Sequence, residues 1–386
     1  MVGRSCGWLE SAWSKGVFSR PSLDPEALFD KALGDALAHG EYGLRAADEV
    51  DDFRLRLQSL CAALESEATL NSLGLTIAHG QLVRVIRQRL DLGALWSQQP
   101  DLAATPLAPP IIIVGQMRSG TTRIHRLLAA DPQFAATRFC DSWHPVPRKP
   151  DTRPAWSALS LVFARTLDPW LDSIHPFGVT RPDEELGWLA CALNHCAYEA
   201  QWRVPSFTAF SESRDPAPVY REFARILATD AANHGNAHLP RVLKVPQFAE
   251  DLSALLAEFP DARVILTNRC DQQTAASAAS LVANQMTIQS DHVDMAWIEK
   301  EMARKIALRQ DRMDSALAEF AGPVTRVDFD ALSANWEGQV ERIYSELRLP
   351  MSELSLAAIR NEHERAATSE HREHARQYRA FASAEA

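Results

Sequence analysis

The 386-residue chain has no apolar run approaching the roughly 18–20 residues of a membrane span, so none is expected. Its first residues, MVGRSCGWLESAWSKGVF, lack a continuous apolar segment and a small-residue cleavage site, and read poorly as a secretory signal. Cysteine is sparse: Cys6, Cys61, Cys140, Cys191, Cys196 and Cys270 are scattered, without the spacing of a disulfide framework. A cytoplasmic protein with free thiols is the expectation. Cys191, His195 and Cys196 fit no common zinc pattern. Cys191 and His195, four apart, are expected to pack on one helix face, and no metal is expected. An excess of positive charge is also missing. Lys and Arg number 40 against 50 Asp and Glu, a formal charge of −10. That excludes a general nucleic-acid binder with a basic face, but not a few arginines focused in a cleft. No internal repeat is visible.

What remains is a soluble globular composition, 46% hydrophobic and 23% charged, long enough for a large core without staples. Residues 1–105 read as a helical region packed on the core. Asp24 can cap a helix beginning at Pro25, with Phe29, Leu33 and Leu37 on one face. A second stripe has Val50, Phe53, Leu57, Leu60, Cys61 and Leu64; a third has Leu82, Ile86 and Leu90. A breaker-rich connector, Trp96 to Pro110, follows. From 106 to 386 the pattern alternates. Strands are expected at Ile111–Val114, Val242–Val245, ARVILTN and Val324–Phe329, each followed by a helix, the third helix from about Gln273. This rhythm implies an α/β domain: a parallel sheet flanked by helices, with ligands at the carboxyl ends of its strands. A helical insertion at about 150–240 interrupts it, and the charged segment NEHERAATSEHREHARQYRAF reads as an exposed helix.

The stretch PPIIIVGQMRSGTTRIHRLLAADP, 109 to 132, is built as a phosphate loop: strand, two glycines, helix. Backbone N–H groups of Gly115, Gln116, Met117, Arg118, Ser119 and Gly120 can turn inward, the hydroxyls of Thr121 and Thr122 add donors, and the helix adds its positive end. The lysine of nucleotide-hydrolysing loops is absent; Thr121 stands in its place. ARVILTNR ends in Asn-Arg rather than the aspartate that would hold Mg²⁺, which disfavours a P-loop nucleotide phosphotransferase.

The loop resembles that of the P-loop sulfotransferases, particularly a bacterial branch reading Pro-Arg-Ser-Gly-Thr-Thr, with Met117 here in place of the proline. The resemblance implies transfer of a sulfuryl group from 3′-phosphoadenosine 5′-phosphosulfate to a hydroxyl or amine of a small-molecule, lipid or carbohydrate acceptor, without a metal. The product would be 3′-phosphoadenosine 5′-phosphate. It implies that the loop cradles the 5′-phosphosulfate, with Arg118 neutralising charge on the bridging oxygen. A second similarity is a strand ending in arginine with a serine eight residues later. Arg269 and Ser277 carry that spacing and would hold the 3′-phosphate. The family's usual His before the arginine and Asp-Pro after it are here Asn268, Cys270 and Asp271. A third is Leu243, Lys244 and Pro246, with Phe248 where the family has histidine.

For the base, ATRFCDSWHPVPR aligns Asp141 with the family's glutamate, and His144 is the second choice. RPDEELGWLACALNH offers Glu184 and Glu185; Glu185 is the third candidate, though carboxylates also suit a helix start capped by Asp183. Trp188, Trp202, Phe207 and Phe210 suggest either core or an apolar acceptor pocket. The departures at positions 248, 268, 270 and 271 leave one further reading, a non-catalytic nucleotide-binding protein of the same fold.

Overall fold

The computed structural model describes residues 1–33, 41–174 and 177–366. Helices α1 (Val2–Ser14), α2 (Pro25–Leu33), α3 (Ala47–Ser66), α4 (Ser72–Gln98) and α5 (Pro100–Ala103) precede the first strand. Five strands follow: β1 (Ile111–Gly115), β2 (Ala135–Ala136), β3 (Arg241–Lys244), β4 (Arg263–Asn268) and β5 (Val324–Asp328). Between β1 and β3 lie α6 (Thr121–Ala129), α7 (Phe139–Trp143), α8 (Arg153–Leu167), α9 (Leu171–Ile174), α10 (Leu186–Ala190), α11 (Pro205–Glu212) and α12 (Ala217–His234). Then come α13 (Leu252–Glu258), α14 (Asp271–Gln289), α15 (Met295–Glu319), α16 (Phe329–Ala334) and α17 (Trp336–Glu346).

The strands form one parallel sheet in the order β2-β3-β1-β4-β5. All carboxyl ends therefore meet at one edge. β1 is central, with Ile113 beside Lys244 on one flank and Gly115 beside Thr267 on the other. The chain turns one way after β1 and the other way after β4, which opens a crevice at that edge.

β1 is apolar throughout because both faces are covered. Ile112 and Val114 enter a core with Trp96, Trp188, Phe223 and Phe248, while Ile111 and Ile113 meet Ile124, Leu127, Leu128, Val340 and Tyr344 on the opposite side. Each fully buried isoleucine contributes about 1.5–3 kcal/mol. The N-terminal stripes pack together and on residues 190–207, with Leu57, Leu60, Leu82, Ile86, Trp202 and Phe207 in one cluster. Asp24 caps as expected, accepting from the Ala27 amide at 2.9 Å.

Several local expectations change. Phe329 ends no strand but opens α16. β2 is too short to leave a periodic signal. α15 was hidden by cations: its buried stripe is Ile298, Met302, Lys305, Ile306, Arg309, Met313 and Ala316, so two charges interrupt the apolar period. Cys191 and His195 do not share a helix, because α10 stops at Ala190 and Leu193 takes φ +53°. Trp188, Trp202 and Phe207 are buried core and Phe210 packs against it, so they do not form an open pocket. Leu37 and the charged segment beyond residue 366 lie outside the described residues.

Candidate active site

The loop after β1 is fixed by what surrounds it. Gly115 has φ +155°, and a Cβ there would stand 2.1 Å from Thr267 Oγ1, so only glycine lets β1 and β4 close at this point. Gly120 has φ +92° and backs onto the Phe329 ring, where a Cβ would come to 2.9 Å. Between them the Ser119 hydroxyl donates to the Gln116 carbonyl at 2.6 Å and meets Thr267 Oγ1 at 2.6 Å. The Gln116 amide anchors on the Ile306 carbonyl of α15 at 2.9 Å, and Gln247 Nε2 donates to Met117 sulfur at 3.8 Å. Arg118 sits at φ +67°, a left-handed conformation that costs about 1–3 kcal/mol unless its neighbours enforce it. The curl ends at Thr121, where α6 begins and Thr121 is buried.

Cations gather at this edge from three adjacent strands. Arg118 Nε donates to Ser277 Oγ at 3.1 Å, and Arg269 Nη1 donates to the Arg118 carbonyl at 2.8 Å. The Arg269 guanidinium stacks over Phe329 at 4.2 Å from the ring centroid. Burial, then the charge of Arg269, lowers the Arg118 pKa. At the end of β3 the fully buried Lys244 ammonium donates to Thr122 Oγ1 at 3.1 Å and pairs with the Glu184 carboxylate.

The three candidate bases are differently placed. Asp141 is buried and receives Arg138 at 2.6 and 2.9 Å, Arg153 at 3.1 Å and His234 at 3.2 Å. Burial alone would raise its carboxyl. Hydrogen bonds from His234 and Arg138 and the charge of Arg153 outweigh burial and hold it well below the usual range. His144 is pushed down to about 4 by burial, then by Arg84, Arg153 and Arg148. Glu185 is fully buried, and its Oε2 accepts from the Lys244 amide at 2.9 Å. Burial pushes its carboxyl up to about 8. Among the described residues, none of the three has a hydrogen bond to the loop. Glu184, the chain neighbour, is the carboxylate joined to it through Lys244 and Thr122. Sequence spacing named both glutamates. Of the two it points to Glu185, and since both precede α10 the helical period gives no check on that choice.

Two acidic clusters elsewhere resemble metal sites in composition. Asp141, Asp230 and His234 already hold Arg138, Arg153 and Arg241. His195, Glu212 and Glu250 surround the buried Lys305 ammonium, 2.9 Å from Glu212 and 2.5 Å from Glu250. In each, protein cations occupy the place a metal would take.

A parallel sheet with a curled glycine loop at its central strand, flanked by arginine and lysine at neighbouring strand ends, defines an α/β protein with its cations gathered at one sheet edge. Residues 109–353 match the model of the sulfotransferase family, more than half of the chain, and the protein belongs to that family. Its fold is similar to that of sulfotransferase STF1 from Mycobacterium tuberculosis H37Rv, with a TM-score of 0.77 and 26% identity over 86% of this chain and 92% of that one. It is also similar to sulfotransferase STF9 from Mycobacterium avium, with a TM-score of 0.75 and 19% identity over 89% and 88%. The second likeness is one of fold alone. No curated protein matches the chain. No helix among the described residues is long and apolar enough to cross a membrane.

Proposed function

We propose that the protein transfers the sulfuryl group of 3′-phosphoadenosine 5′-phosphosulfate to a hydroxyl of a small-molecule, lipid or carbohydrate acceptor. The observation that carries this is the direct contact of Arg118, Ser277 and Arg269 at the exits of two adjacent strands. A 5′-phosphosulfate on the loop and a 3′-phosphate on Arg269 and Ser277 would then lie at one edge, as a single nucleotide requires. The loop keeps its curl because both glycines let its backbone close against Thr267 and Phe329.

The chain's residues divide the work. The loop amides and Thr121 orient the donor. Arg118 receives the charge that develops on the 5′-phosphate oxygen as the S–O bond breaks, with no reorganisation at that moment. The acceptor oxygen attacks sulfur in line, and its proton passes to a base. We assign that base to Glu184, held toward the loop by Lys244 and Thr122. Asp141, locked among three cations, acts as a strut that fixes α7 against α12. The protein's own cations balance the donor's charge.

The test is thermal shift with 3′-phosphoadenosine 5′-phosphate, adenosine 5′-phosphate and ATP. A ligand that binds only the folded state raises its melting temperature. The bisphosphate is expected to give the largest shift, and R269A to remove its advantage over the monophosphate. Equal shifts from all three ligands in the wild type would refute the 3′-phosphate site.

A further inference from the structure

Arg84 on α4, beside Trp143, sits in a setting that lacks a counter-ion. Its Nε is sealed from solvent and has no hydrogen-bond partner. Its guanidinium stacks on Trp143 of α7, 5.5 Å from the ring centroid. Burial lowers its pKa, and among the described residues the groups that oppose this are Cys191 and Tyr198. Burial pushes the Cys191 thiol up to about 12 and raises the Tyr198 phenol, so both are neutral and neither balances a cation. Among the described residues, no carboxylate pairs with Arg84. Three buried guanidinium groups each have one: Arg153 has Asp141, Arg309 has Glu250, and Arg241 has Asp230.

A charge taken out of water without a partner is costly, by several kcal/mol even after relaxation. The side chain is nonetheless only partly buried as a whole, so its outer end is open while its Nε is closed. The field around it is positive as well. His144, beside Trp143, is held neutral by burial and by the charges of Arg84, Arg153 and Arg148.

One chain of contact leads from this place toward the loop. Trp143 follows Ser142, whose hydroxyl donates to the Glu184 carbonyl at 2.6 Å and accepts from the Gly187 amide at 3.1 Å. The Glu184 carboxylate in turn pairs with Lys244, which donates to Thr122 at the start of α6.

We propose that Arg84 and Trp143 form an acceptor subsite for an oxyanion: a carboxylate, phosphate or sulfate carried by the acceptor at the end remote from the reacting hydroxyl. The guanidinium fork supplies the charge, and the indole supplies an apolar wall for the carbon skeleton. This rests on the sulfotransferase reading for the word acceptor, but the anion site stands on Arg84 alone.

The experiment begins with protein saturated with 3′-phosphoadenosine 5′-phosphate, whose own thermal shift reports separately on the donor reading. Sodium sulfate is then titrated at constant ionic strength against chloride. A saturable further rise is expected in the wild type and its loss in R84M, while R84K keeps part of it. In chloride alone R84M is expected to melt at or above the wild type, because an uncompensated buried charge is gone. A sulfate increment unchanged in R84M, or R84M melting well below the wild type in chloride, overturns the site. To separate an acceptor's anion from a free one, hydroxylated compounds in matched pairs, with and without a carboxylate, are titrated onto the bisphosphate-loaded protein. The acids are expected to bind about tenfold more tightly, the equivalent of one charged hydrogen bond, with the preference lost in R84M. Pairs that bind alike overturn the assignment to the acceptor, whatever sulfate does.

Discussion

Replacing Asp141 by asparagine separates a strut from a base. The carboxylate joins Arg138, Arg153 and His234, and Arg153 is only 2% exposed. Removing one side of a buried ion pair costs about 3–5 kcal/mol, because the partner charge stays behind. At roughly 2.1 cal/mol/K per residue, a chain of this length has an unfolding entropy of about 0.8 kcal/mol/K, so the melting temperature should fall by about 4–6 °C. The pH dependence adds a second signature. Hydrogen bonds that His234 donates to Asp141 and Asp230 raise its pKa from 6.5 to about 9. A raised histidine contributes stability that is complete below its unfolded pKa and lost as pH rises through the folded one. The gap between wild type and D141N should therefore be widest below about pH 6.5 and already shrinking at pH 7.5. It should narrow by about 1–2 °C toward pH 10, after discounting for the partly exposed imidazole. Scanning calorimetry at pH 7.5 and pH 10 reads both effects, and a transfer assay well below the melting point reads turnover. Turnover is expected to stay within about tenfold of wild type. An unchanged melting temperature, with turnover abolished and bisphosphate binding intact, would make Asp141 the base and end this reasoning.

E184Q is expected to lower kcat by about 10²–10⁴-fold while bisphosphate binding, read by calorimetry, stays near wild type; an unchanged kcat places the base elsewhere. G115A should cost at least about 1–3 kcal/mol and weaken bisphosphate binding, since its methyl would stand 2.1 Å from Thr267 Oγ1. E185Q should gain on the wild type as pH rises. The unfolded carboxyl ionises near 4.5 and the folded one only near about 8, so wild-type stability falls across that window and the glutamine does not titrate. A gap between the two that is constant from pH 5 to pH 8.5 would contradict the buried, proton-holding Glu185.

The sheet was legible because its central strand is a run of isoleucines bounded by breakers, and a strand covered on both faces has no other way to read. The glycine loop was legible for a related reason: its geometry is local, set by Gly115 and Gly120, five residues apart. Arg269 and Ser277 are likewise joined by a single strand-to-helix turn. The base proposed here, Glu184, was not legible. Asp141 and Glu184 are both carboxylates beside loops, and what separates them is distant in the chain: His234 comes to one, Lys244 to the other. Arg84 was invisible because its meaning lies in the absence of an acidic neighbour, which three-dimensional packing alone decides. α15 was missed because Lys305 and Arg309 are buried in ion pairs, against the usual rule that charge marks a solvent face.

The place of β1 between β3 and β4 has a consequence for synthesis. Ile111 pairs with Val242 on one side and Arg263 on the other. When β1 leaves the ribosome, neither neighbour exists. More than a hundred further residues must be made before the first arrives, on the order of ten seconds at roughly 5–20 residues per second. During that interval an isoleucine-rich ribbon has both rims bare, the condition under which nascent chains stick to one another. Yield from a fast-translating host should thus hinge on chaperones that shelter the chain until residue 268 is out.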